Sequence, residues 1–191
     1  MTATGLLDLA GSSTLHYGLT SDLASLRPLV RTEALEGTLH LQGQASGALT
    51  AIRTQGTLVG QRLRYEDYHV GTLQLIYEGS ELGTQPHLTA HLEIQKTDVG
   101  SVPVERLTLD ATYESTGRQL QVSTEVVQSS LYSGKVRGSL HWTETGQQLT
   151  LDELLVRLQD HPWQMVAPVE VVRDAPRVRY GQVLEPGQHA G

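Results

Sequence analysis

Apolar and polar residues alternate along most of this chain. The clearest stretch runs from residue 87 to 95, where Leu88, Ala90, Leu92 and Ile94 alternate with polar residues. A period of two places successive side chains on opposite faces of a β-strand. The pattern therefore predicts strands that each have one apolar and one polar face.

Glycine marks the alternating stretches through a recurring tripeptide, in which glycine is followed by a small or polar residue and then leucine. It occurs at 37–39, 47–49, 56–58, 71–73 and 138–140. We interpret these glycines as strand entries, because a missing side chain leaves room for a sheet to bend around a groove.

The remaining elements follow from the same signals. One short helix is predicted near residues 21–30, where Ser21 can cap the first turn and Pro28 limits the length. An extra residue at 152–153 shifts the alternation and predicts a β-bulge or a brief irregular turn. A last strand is predicted over 163–171, interrupted by Pro168, which indicates an edge or an irregular position.

The composition favours a thin sheet over a compact core. Hydrophobic residues make up 38% of the 191 residues, and phenylalanine, a large core-filling residue, is absent. We therefore predict an all-β fold built as an extended sheet lined by branched aliphatic side chains. No linker divides the chain, so residues 1–172 are read as one unit and residues 173–191 as an irregular tail.

The charge argues against two classes of partner. The formal net charge is −7 and the chain has only two lysines, so we expect the overall field to attract neither nucleic acid nor anionic lipid head groups. Because there is no cysteine, disulfides and thiolate metal sites are excluded. The N-terminus lacks a basic region followed by an apolar run, so it does not read as a secretory signal.

No catalytic or metal-binding set stands out. His87 and His91 are closest in sequence, but residues four apart on a strand lie roughly 13 Å apart, too far to share one zinc ion. Trp142 and Trp163 fall on the apolar phase of their strands, which fits packing or contact with a lipid chain. We predict a non-enzymatic protein with no cofactor and no metal site.

Several phrases, taken in order, resemble the TamB family, the inner-membrane subunits of the bacterial translocation and assembly module. The family pattern is a strand, a short D-L-x-x-L helix, and glycine-spaced strands, with a later W-x-L-x-x-P phrase. The matching segments here are 13–17, 22–29, 35–39, 43–47, 63–65 and 163–168.

The resemblance implies an elongated, curled, antiparallel or solenoid-like sheet that forms a hydrophobic groove. It implies a periplasmic segment of a longer protein anchored in the inner membrane, with an Omp85-type, TamA-like outer-membrane partner. The implied function is outer-membrane protein (autotransporter) assembly and phospholipid transport between the two membranes. The residues expected to line the groove and contact acyl chains are Leu88, Leu92, Leu107, Leu109, Leu120 and Val122.

Two other classes of protein fit parts of the pattern. A structural or adhesive β-solenoid of a secreted passenger-type protein would have a filled, dry interior. A carbohydrate-active β protein would have an exposed aromatic and acidic cleft. An open apolar groove, in contrast, is what the lipid-carrying hypothesis requires.

Overall fold

The fold is all-β, and its strands are long. The computed structural model describes residues 2–6, 13–27, 34–48, 50–99, 102–129, 132–159, 161–174 and 177–180. The strands are β1 (Thr2–Leu6), β2 (Ser13–Asp22), β3 (Leu35–Gly47), β4 (Arg53–Tyr65), β5 (Tyr68–Ser80), β6 (His87–Val99), β7 (Val102–Glu114), β8 (Gln119–Ser129), β9 (Tyr132–Trp142), β10 (Gly146–Leu158), β11 (His161–Gln164), β12 (Val169–Asp174) and β13 (Arg177–Tyr180).

All of these strands belong to one open, curled, antiparallel sheet. Each strand from β1 to β10 pairs with the next strand in sequence. Strand β10 then pairs along one edge with both β11 and β12, and β12 pairs with β13. Consecutive antiparallel strands need only short connections, which the turn and polar residues between the alternating stretches supply.

The sheet is a single layer. The chain exposes 13579 Å², whereas a compact monomer of 20.9 kDa exposes about 9,000 Å². Among the side chains that the structure describes, none is less than 2% exposed. The most buried apolar residues are Leu23, Val104 and Met165, at 8–9%. No second layer of described residues covers either face.

A line of irregular positions crosses β3 to β6 near one end of the strands, and we call it the crease. Gly37, Arg62 and Lys96 all have positive φ, and Gly71 lies between Arg62 and Lys96 in the pairing register. A β-carbon on Gly71 would lie 3.0 Å from the β-carbon of Lys96. The register of β3 against β4 shifts within the crease, between Glu36 and Thr38, and a bulge of this kind bends a strand and increases its twist.

The crease also folds apolar groups against one another. A β-carbon on Gly60 would lie 2.8 Å from Cδ1 of Leu63, so the leucine side chain covers the glycine. On the far side of the crease, Leu63, Val70, Thr97 and Val104 lie opposite one another across β4 to β7. Thr97 is 6% exposed, and its hydroxyl donates to the backbone oxygen of His69 at 2.7 Å.

Several predictions about the elements are confirmed. The β-bulge lies where the extra residue was expected, since the register of β10 against β9 shifts between Leu151 and Glu153. The helix is a single 3-10 turn, Leu23–Leu26, within the predicted range. Its N-cap is Asp22 rather than Ser21, with the Ala24 amide donating to the carboxylate at 3.0 Å. Residues 28–33 lie outside the described residues.

Other predictions were wrong. The tripeptide glycines at 37, 56, 71 and 138 lie inside strands and not at their entries, and Gly47 ends β3. The interruption predicted at Pro168, in contrast, is confirmed, since residues 165–168 separate β11 from β12 and proline cannot continue the backbone ladder. The tail predicted to be irregular contains the end of β12 and all of β13; residues 181–191 lie outside the described residues.

Candidate functional site

One face of the sheet is apolar across nine consecutive strands. Paired residues lie on the same face of a sheet, so the register identifies rows of side chains that run across the strands. The central row contains one residue from each strand from β2 to β10. Its members are Leu19, Leu41, Leu58, Leu75, Leu92, Leu109, Thr124, Val136 and Leu154. We call the surface that carries this row the apolar face.

The six residues expected to line a groove all lie on the apolar face, on β6, β7 and β8. Leu92 pairs with Leu109 in the central row, and Leu107 lies one row away towards the crease. Val122, Leu120 and Leu88 lie in the rows on the other side. The strands therefore bring these residues into one continuous patch.

The apolar face is accessible to solvent. Leu15, Leu88 and Leu149 lie in one of its rows and are 41–48% exposed. Monomeric proteins rarely expose contiguous apolar patches larger than a few hundred Å². The central row alone spans eight strand spacings, or about 38 Å. An exposed apolar surface of this extent is characteristic of a ligand-binding or partner-binding surface.

The opposite, polar face carries threonine, glutamine, histidine and charged side chains. His91 Nδ1 lies 2.6 Å from the Asp110 carboxylate, and His87 Nδ1 lies 3.8 Å from the Glu114 carboxylate. Each histidine thus faces an acid on β7, and the two do not converge on a common point. No group of three or more potential metal ligands occurs among the described residues.

Two shallow depressions lie on the polar face. One, of about 560 Å³, lies over β2 to β5 beside His16, Gln44 and Gln55. The other, of about 540 Å³, lies over β7 to β10 beside Asp110 and Arg137. Both are open to solvent.

A pair of tyrosines forms the one hydrogen-bonded side-chain cluster that we identify on the described apolar face. The Tyr17 and Tyr77 hydroxyl oxygens are 2.5 Å apart, and Tyr17 also lies 2.8 Å from Thr54 Oγ1. The Tyr17 ring lies over Gly43 and the Tyr77 ring over Gly56, since a β-carbon on either glycine would lie 2.6 Å from the Cζ atom of its tyrosine. We call these two rings the tyrosine bar, which reaches from β2 to β5.

The hydroxyl groups of the bar and of Thr54 donate their hydrogen bonds in one direction. Thr54 donates to the backbone oxygen of Gln44 at 3.2 Å. A hydroxyl has one proton, so Tyr17 donates to Thr54 and Tyr77 donates to Tyr17. Burial, together with the hydrogen bond to Tyr17, raises the pKa of Tyr77 to about 12. The Tyr77 hydroxyl is therefore protonated over the physiological pH range.

The two tryptophans have different surroundings. The Trp142 ring packs edge-on against Tyr113, with ring centroids 6.2 Å apart. Trp163 pairs with Val156 on the apolar face and remains 51% exposed. Packing thus accounts for Trp142, whereas Trp163 is available to a ligand.

Comparison with known proteins does not identify a family for this chain. No protein-family model, curated protein or solved structure matches this chain. Within the described ranges, no helix has the length and apolar character needed to cross a membrane.

Sequence reasoning missed the tyrosine bar. Tyr17 and Tyr77 are 60 residues apart, and only the registers of β2 to β5 bring them together. A local signal did exist, because Gly43 and Gly56 interrupt otherwise apolar positions of their strands. Glycine at such a position is a known partner for an aromatic ring that covers it from a neighbouring strand.

Proposed function

We propose that this chain is a segment of a TamB-like protein that carries phospholipid acyl chains along its apolar face. In this proposal the full-length protein is anchored in the inner membrane and crosses the periplasm to an Omp85-type partner. It acts in phospholipid transport and outer-membrane protein assembly, and the segment itself performs no chemistry.

The observation that carries the proposal is the largely apolar surface that extends across β2 to β10 of a single-layer sheet. An acyl chain has no hydrogen-bonding group, and the side chains of the central row need no hydrogen-bonding partner from a ligand. Each buried methylene contributes about 0.8 kcal/mol, so contacts spread over many side chains bind a chain without fixing it at one point. Leu75, Leu92 and Leu109 form the middle of this surface.

The ordered phrases of the sequence support the family part of the proposal. The D-L-x-x-L phrase forms the 3-10 turn Leu23–Leu26, which follows β2 directly. The glycine-spaced phrases form the long strands β3 to β5, and Trp163 begins the phrase that follows β10. A secreted passenger-type β-solenoid calls for a filled interior instead, and the described strands enclose none.

Neighbouring residues on β8 provide a matched test. Val122 faces the apolar side and pairs with Ala111, whereas Gln121 faces the polar side and is exposed. Purified wild-type protein is expected to contain phospholipid that mass spectrometry detects. Val122→Asp is expected to lower the retained phospholipid at least about tenfold, because a carboxylate against an acyl chain loses its hydration. Gln121→Asp adds the same charge to the other face and should retain wild-type amounts.

Two results would refute the proposal. One is a wild-type protein that contains no phospholipid and, once delipidated, takes up no fluorescent fatty acid. The other is equal loss of lipid in the two aspartate variants while both keep the wild-type circular dichroism spectrum, since the apolar face would then have no special part in binding.

A further inference from the structure

The tyrosine bar interrupts a shallow path that otherwise runs across the apolar face. One row of this face contains Tyr17, Gly43, Gly56, Tyr77, Ala90, Ala111, Val122 and Gly138, each paired with the next. On β2 to β5 the two tyrosine rings fill the space above the glycines. On β6 to β9 the row has only small or medium side chains.

Large side chains border this row on both sides. Leu92 and Leu109 lie in the central row on one side, and Leu88, Tyr113 and Leu120 lie in the row on the other. The open part of the path therefore has apolar walls. It extends over three strand spacings, from Ala90 to Gly138, or about 14 Å, and at its β5 end it meets the ring of Tyr77.

The bar presents a hydrocarbon surface to this path. All three hydroxyl protons of the cluster are used in the sequence from Tyr77 to Tyr17, Thr54 and the Gln44 backbone oxygen. No hydroxyl proton is left to bind a phosphate or carboxylate group. A lipid lying in the path would thus meet the bar with its methyl end and keep its head group at the β9 side or beyond.

We infer that Tyr17 and Tyr77 determine lipid specificity by setting the length of acyl chain that the path between Ala90 and Gly138 can accept. The inference rests on the proposed function, because it presupposes that acyl chains occupy the apolar face. It goes further in naming the residues that stop the chain and the direction in which the chain lies.

The test measures affinity for monoacylglycerols of increasing chain length, which have one tail and an uncharged head group. Affinity for wild-type protein should rise about fourfold with each added methylene and then level off when the tail reaches Tyr77. Tyr17→Ala/Tyr77→Ala should move this plateau to longer chains, because four further strand positions open and add about 19 Å. Tyr77→Phe keeps the ring and should leave the plateau unchanged.

A second variant covers the possibility that the double alanine variant fails to fold. Ala111→Leu places a branched side chain in the open path, two strands from Tyr77, and should move the plateau to shorter chains. A plateau that stays at the wild-type chain length in each folded path variant would overturn the inference. So would a wild-type affinity that rises without levelling off.

The outcomes also separate this inference from the proposed function. If wild-type protein binds monoacylglycerols but the plateau does not move in the variants, acyl-chain binding is supported and the role of the tyrosine bar is refuted. If delipidated wild-type protein binds none of the monoacylglycerols, both the proposed function and the role of the tyrosine bar are refuted.

Discussion

Replacing Gly56 with alanine tests whether the tyrosine bar needs the space that glycine leaves beneath it. A β-carbon at this position would lie 2.6 Å from Cζ of Tyr77 and 2.7 Å from the backbone oxygen of Gln42. The ring cannot tilt away freely, because its hydroxyl is bonded to that of Tyr17 at 2.5 Å. Gly56→Ala must therefore displace the Tyr77 ring or the neighbouring backbone.

The expected cost combines two terms. Forcing extra volume into a packed position costs about 1–3 kcal/mol. Loss of the hydrogen bond between Tyr77 and Tyr17 adds about 0.5–1.5 kcal/mol if the ring moves away. Removing glycine flexibility from the unfolded chain offsets about 0.4–1 kcal/mol. The net expectation is a decrease of about 0.5–4 kcal/mol in the free energy of unfolding.

Gly134→Ala is the matched control. Gly134 also lies inside a strand, on β9, but a β-carbon there would come no closer than 3.9 Å to its nearest neighbour, the backbone oxygen of Leu155. This substitution should leave stability unchanged or raise it by up to about 1 kcal/mol. Equilibrium urea unfolding, followed by far-ultraviolet circular dichroism on delipidated protein, compares the two variants with wild type.

A Gly56→Ala protein as stable as Gly134→Ala would contradict the arrangement of the bar. The ring of Tyr77 would then not lie over Gly56. A large loss of stability in both variants would contradict it as well, because the cost would come from strand glycines in general and not from the aromatic ring.

Two further predictions concern the titration of the bar and the polar face. The pKa of Tyr77 is raised to about 12 in the folded state, whereas an unfolded tyrosine ionises near pH 10. Ionisation of Tyr77 should therefore have no effect on the free energy of unfolding below about pH 10. The free energy of unfolding should fall between about pH 10 and 12, and Tyr77→Phe should remove that part of the decline in urea unfolding measured across this range. Glu153 pairs with Lys135 at 3.2 Å and with Arg137 at 3.7 Å. Since such partly exposed pairs contribute little, Glu153→Gln should cost no more than about 1 kcal/mol, and 1 M salt should remove the difference from wild type in thermal unfolding.

The alternation of side chains made the strands and the apolar face predictable. A one-residue change of register would exchange the two faces, so a long alternating stretch such as 87–95 fixes which residues share a surface. The bulge at Asp152 was predictable for the same reason, because one inserted residue visibly shifts the alternation.

The parts that sequence reasoning missed depend on contacts between distant strands. The position of Gly56 among apolar residues signals that something covers it, but only the pairing of β4 with β5 identifies Tyr77 as the residue that does. The crease depends in the same way on the register, because Gly37 and Arg62, both at positive φ, lie where the pairing of β3 with β4 shifts. Arginine and lysine at positive φ are uncommon, so Arg62 and Lys96 gave no sequence signal.

The strictly sequential order of the strands has a consequence for how this sheet gains or loses units. Each strand from β2 to β9 pairs only with its immediate neighbours along the chain, so insertion or deletion of a complete hairpin leaves every other pairing intact. The molecule is in this respect a one-dimensional array, in which stability accumulates from one neighbour to the next. Its length across the strands can therefore change in steps of two strands, about 10 Å each, while its cross-section stays the same.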